Sequence, residues 1–95
     1  MVRLLISAAL LAMLALPARA ECYLDYKAKR DDPLRLHYGV ALVPDELCGD
    51  TPAASAAIEQ RLAQAGWHMI KILNFFGPEG LSERKESAGE QFLRY

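Results

Sequence analysis

The sequence predicts a small α+β domain: a three-stranded sheet in the order β-α-β-β, covered by one helix, with a short N-terminal helix or strand tied to it by a disulfide. Three observations lead there. Residues 34–43 alternate between heavier apolar and lighter side chains with period two. Residues 51–66 are rich in helix formers and carry stop and start signals at both ends. Residues 67–76 are dense in β-branched and aromatic residues, and Cys22 and Cys48 are the only 2 cysteines.

The first twenty residues stand apart from this domain. All of residues 1–20 except Arg3, Ser7, Pro17 and Arg19 are apolar, whereas the chain as a whole is 53% apolar. Without that segment the fraction falls to about 45%, an ordinary globular value. The net charge moves from −1 to −3, because Arg3 and Arg19 leave while all 12 acids stay. Such a chain is too apolar to be disordered and too short for a multidomain enzyme. It is also too acidic for a nucleic-acid binder.

Residues 1–20 read as a cleavable signal peptide and 21–95 as a single domain. Arg3 is the positive start, Leu4 to Leu16 the apolar stretch, and Pro17 its end. Ala18 and Ala20 supply the small residues a signal peptidase reads, with cleavage before Glu21. The apolar run is shorter than the roughly 20 residues that span a bilayer, so no membrane attachment is expected after cleavage. The Ala/Leu-rich leader resembles those of exported Gram-negative proteins, which places the product in the periplasm or outside the cell. In that oxidising setting Cys22 and Cys48 are expected to pair. The loop they close, 27 residues, corresponds to about 3.5 kcal/mol by the chain-entropy argument. Their wide spacing fits neither a redox pair nor a zinc site.

Each element of the mature chain follows from its local pattern. Residues 22–30 fit period two through Cys22, Leu24, Tyr26 and Ala28, and helical spacing through Cys22, Tyr23, Tyr26 and Arg30. The Lys-Ala-Lys-Arg ending favours a short helix by propensity. Asp31-Asp32-Pro33 breaks it. In the strand that follows, Leu34, Leu36, Tyr38, Val40 and Leu42 share one face. Thr51 is expected as N-cap and Pro52 as first helical residue. Ala54, Ile58, Leu62 and Ala65 form the apolar stripe, and Gly66 ends the helix. Residues 67–76 are apolar on both sides, which predicts a central strand or one whose second face meets something beyond the domain. Gly77-Pro78-Glu79-Gly80 is a turn. Residues 82–90 form one or two exposed helical turns, with Glu83-Arg84-Lys85-Glu86 as mixed-charge surface, and Gln91 to Tyr95 a closing strand.

The helix, the Ala65-Gly66-Trp67 junction, the apolar strand, the turn and a closing segment with Arg94 near its end resemble DUF4177, a small family of unknown function. The resemblance covers residues 34–95 and implies a strand, a helix ending in Gly-Trp and a β-hairpin, with no established activity. The Tyr23-Leu24-Asp25-Tyr26-Lys27 start and the Ala88 to Tyr95 ending are similar to uncharacterised small exported alphaproteobacterial proteins.

Catalytic chemistry finds little support. His37 and His68 lie on different strands with no fixed third ligand, and Ser55, Ser82 and Ser87 lack a nucleophile context. No cofactor or metal is implied. Tyr23, Tyr26, Lys27 and Arg30 offer one patch for an anion or glycan, since aromatic faces stack on sugars and cations. The expected function is a non-enzymatic interaction or structural module. It would act through a sheet edge or an apolar face, as a homodimer or with a protein partner. A small glycan- or anion-binding domain is the alternative, and a small hydrolase or metal-binding protein a distant third.

Overall fold

A computed structural model describes residues 21–95; the leader, with Ala18 and Ala20 of the expected cleavage site, lies outside the described residues. The elements are β1 (Cys22–Arg30), β2 (Arg35–Val43), α1 (Thr51–Ala63), β3 (His68–Phe76) and α2 (Leu81–Ala88). Single 3-10 turns occupy Asp45–Leu47, Pro78–Gly80 and Gly89–Gln91. The three strands form one sheet in the order β2-β1-β3, antiparallel throughout. The fold is thus a small α+β domain, with its third strand drawn from the N-terminal segment.

Residues 22–30 are a strand and not the short helix that propensity favours. Seven of these nine residues are buried or half-buried on the two faces of the sheet, from Cys22 to Tyr26 without a break. The strand alternates apolar Leu24, Tyr26 and Ala28 with charged Asp25, Lys27 and Lys29, a period-two pattern that competes with the helix preference of its basic end. Tertiary burial of Leu24, Tyr26 and Ala28, all fully shielded, overrides the helix preference of Lys-Ala-Lys-Arg. Because β1 takes the centre, residues 68–76 form an edge strand instead of a central one.

Helix α1 is close to expectation. Asp50, one residue before Thr51, is the N-cap, and its Oδ1 accepts from the Ala53 N–H at 3.2 Å. The chain leaves the helix through Gly66, at φ +81°, with Trp67 N–H donating back to Leu62 O at 3.0 Å. Ala54, Ile58 and Leu62 are buried against Cys22, Leu24, Tyr26, Ala28, Ala41, Val43 and Trp67, which is the main core. Each fully buried Ile or Leu there contributes about 1.5–3 kcal/mol.

Cys22 and Cys48 form the disulfide, with Cα atoms 5.9 Å apart. It ties the first residue of the central strand to the loop before α1.

Residues 91–95 do not make a closing strand. Only one parallel bridge, Val40 to Phe92, joins this segment to β2, with Leu93 N–H donating to Val40 O at 2.8 Å. Leu93 then turns the chain with φ +55°, and Tyr95 crosses toward the α1 side of the sheet. The segment is a clasp over the β2 edge.

Candidate interaction surface

Ladder partners share a face of the sheet, so the registers define what each side presents. Cys22, Leu24, Tyr26 and Ala28 face α1. Tyr23, Asp25, Lys27 and Lys29 face the opposite way, beside Leu42, Val40, Tyr38 and Leu36 of β2 respectively. Across β1, Lys27 meets Lys71, and a bulge sets the extra residue Ile70 beside it.

Helix α2 covers only one end of this second face. It packs through Leu81 and Ala88 on Tyr23, Val40, Phe76 and Phe92. Arg84 fastens it. The Arg84 Nε–H donates to Asp25 Oδ2 at 3.0 Å, and its guanidinium lies 4.0 Å over the Phe76 ring. The Tyr38 hydroxyl also donates to Asp25 Oδ2, at 2.8 Å. Burial and that carboxylate push the Tyr38 phenol up to about 12. Arg84 is therefore an anchor and not part of a mixed-charge surface turn. Hydropathy gave no sign of it, because a helix with two apolar contact residues shows no stripe.

Beyond Asp25 the face is bare. Leu36 is 66% exposed, Ile70 49%, and Leu34 in the preceding turn 64%. Lys27, Lys29 and Lys71 stand among them, also exposed. Leu36, Tyr38, Ile70 and Lys27 line a notch of about 210 Å³. The carboxylate nearest these lysines is Asp31, 3.9 Å from Lys29 and itself in the exposed turn.

The sheet edges are less open than the face. The β2 edge lies under the 92–95 clasp, and Arg61 Nη1 donates to the Leu42 carbonyl at 2.9 Å. The β3 edge has two register irregularities and an exposed Lys71, and Glu59 Oε2 accepts the Met69 N–H at 2.6 Å. Bulges, lysines and capped backbone groups are the usual means of blunting an edge.

On the α1 side, His37 sits in an aromatic cluster. Its ring meets Trp67 edge-on with centroids 4.2 Å apart and stacks on Tyr95 at 5.9 Å. His37 Nε2 and the Tyr26 hydroxyl are 3.0 Å apart, one hydrogen bond whichever ring nitrogen carries the proton. Burial, with Arg30 and Arg94 nearby, holds the imidazole below its usual pKa. Gly39 makes room for the arrangement, since a Cβ there would overlap the Tyr26 ring end. His68 instead pairs with Glu59 at 3.2 Å near the β3 edge. Among the described residues no three His, Cys, Asp or Glu side chains converge as a metal ion would require.

The four patch residues do not form one surface. On a strand, Tyr23 and Lys27 point to one face, Tyr26 and Arg30 to the other. Both tyrosines are buried. The Tyr23 hydroxyl donates to the Glu21 carboxylate, which with burial raises its pKa. Arg30 lies 4.4 Å over Trp67 and donates to Ala65 O at 2.8 Å. Lys27 alone belongs to the bare face. A groove of about 610 Å³ beside the clasp is lined by Leu42, Leu93 and Arg61, whose guanidinium is already engaged.

Comparison with protein-family models, curated proteins and solved structures finds no match to this chain. Among the described residues no helix is long and apolar enough to cross a membrane. The disulfide is compatible with an oxidising, extracytoplasmic setting.

Proposed function

We propose that the protein is a small exported module, periplasmic or secreted, that acts by binding another protein and not by catalysis. The observation that carries this reading is the bare half of the second sheet face, where Leu34, Leu36 and Ile70 stand exposed. Such apolar side chains grouped on a rigid sheet mark an interaction surface more often than isolated ones do. The leader-like residues 1–20 and the disulfide support export. Of the surfaces expected from sequence, the face is favoured over the edges, since both edges carry blunting features.

Charge separates a protein partner from a second copy of this chain. A two-fold dimer through the face would bring two copies of the Lys27, Lys29 and Lys71 cluster into one interface, and like charges gathered across an interface are unfavourable. The glycan- or anion-binding alternative, built on Tyr23, Tyr26, Lys27 and Arg30, lacks a supporting geometry.

A photo-crosslinking residue placed at Leu36 or Ile70 of the exported protein tests the proposal, with Lys85 on α2 as the control position. Expected is the same protein adduct from both face positions and none from position 85. Absence of adducts at the face, or equal adducts from all three positions, would overturn the reading.

A further inference from the structure

We infer that the partner presents an acidic, amphipathic peptide segment, with one apolar side chain seated in the notch between Leu36 and Ile70 and carboxylates over the surrounding lysines. This rests on the bare face being the binding surface. The notch of about 210 Å³ suits a single side chain and not a small-molecule ligand of cofactor size. Its walls, Leu36, Tyr38 and Ile70, are chiefly apolar, and Lys27 closes it with a cation. Lys27 and Lys71 are directly opposed in the ladder. Like charges placed opposite each other in a sheet are unfavourable. An occupant that brings a carboxylate between them relieves that repulsion, and Lys29, two positions along the same strand, extends the cationic row.

The segment is distinguished from a lipid surface by the turn at one end. Asp31 and Asp32 precede the exposed Leu34 in the same turn, separated from it by Pro33, and both would be brought toward anionic headgroups if Leu34 inserted. A peptide lying across the strands avoids that turn.

The test is an NMR titration of the isotope-labelled exported protein with a short blocked peptide of alternating glutamate and leucine. Its counterpart of alternating lysine and leucine is the control. Expected are saturable shifts confined to the bare face with the acidic peptide, weakened by salt and absent with the basic one. Lys27→Glu combined with Lys71→Glu is expected to weaken binding about tenfold. Lys85→Glu is expected to leave it unchanged. Equal shifts from both peptides, or none from the acidic one, would overturn the acidic chemistry. Phosphatidylglycerol vesicles that perturb the same residues when the acidic peptide does not would overturn it in favour of a membrane surface. If crosslinks from Leu36 and Ile70 persist when the peptide fails, the face still binds protein, by other chemistry.

Discussion

Arg84 and Asp25 form an ion pair at 3.0 Å, with the side chains 20% and 5% exposed, and it joins the last helix to the central strand. Arg84→Met would leave a buried carboxylate with only the Tyr38 hydroxyl for company. A loss of about 3–5 kcal/mol is expected, read by urea unfolding. Adding Asp25→Asn should restore much of it, because the uncompensated charge is what destabilises. If the single variant matches wild type, the pair does not hold α2 to the sheet.

His37 makes stability depend on pH. Its native pKa lies below the ordinary value of about 6.5, chiefly through burial and then through Arg30 and Arg94. The unfolded chain therefore takes up its proton first as pH falls. Stability contributed by neutral His37 is intact above about 6.5 and declines below it, by at most about 1.4 kcal/mol per pH unit. His37→Phe should flatten that slope between neutral and mildly acidic pH in denaturant titrations.

The disulfide closes a long loop in a domain with a small core. Cys22→Ser with Cys48→Ser is expected to lose about 3.5 kcal/mol, compared with the oxidised protein by thermal or urea unfolding. Intact mass before and after reduction should differ by two hydrogen atoms, the two protons and two electrons taken up when Cys22–Cys48 opens to two thiols. A doubly substituted protein of undiminished stability would remove the staple from the account of the fold.

Gly39 is required by its neighbour and not by its own backbone. Gly39→Ala places a methyl group against the Tyr26 ring, and overpacking of this kind costs about 1–3 kcal/mol. Fluorescence of Trp67, which meets the same histidine as Tyr26, should report the displacement.

How far these features were legible in sequence depends on what each local pattern records. Leu36, Tyr38, Val40 and Leu42 announced β2 because one of its faces is lighter, and Gly66-Trp67 announced the end of α1 because the exit needs a left-handed residue. Cys22 to Arg30 fits period two and helical spacing alike. The burial of Leu24, Tyr26 and Ala28 against α1 decides for the strand, and it is tertiary and so absent from any local pattern. Tyr23, Tyr26, Lys27 and Arg30 converge only on a helix, and on the extended β1 they divide between the two faces of the sheet. Arg84 was invisible for another reason. Its role depends on a carboxylate 59 positions earlier in the chain, a relation no local window contains. The bare face was anticipated only in outline, as a surplus of apolar residues over available cover.

The placement of β1 at the centre also sets an order of events in time. Its first partner, β2, follows after a four-residue turn, but its second is the last strand to be made, with Tyr23 waiting for Phe76. Until β3 arrives, the most buried strand of the fold is a one-sided hairpin with an unsatisfied flank. Completion of the sheet is consequently a late, long-range closure, slower than local pairing and costlier in chain entropy. A chain cut short before residue 68 would keep that flank open and offer it to other unfinished chains.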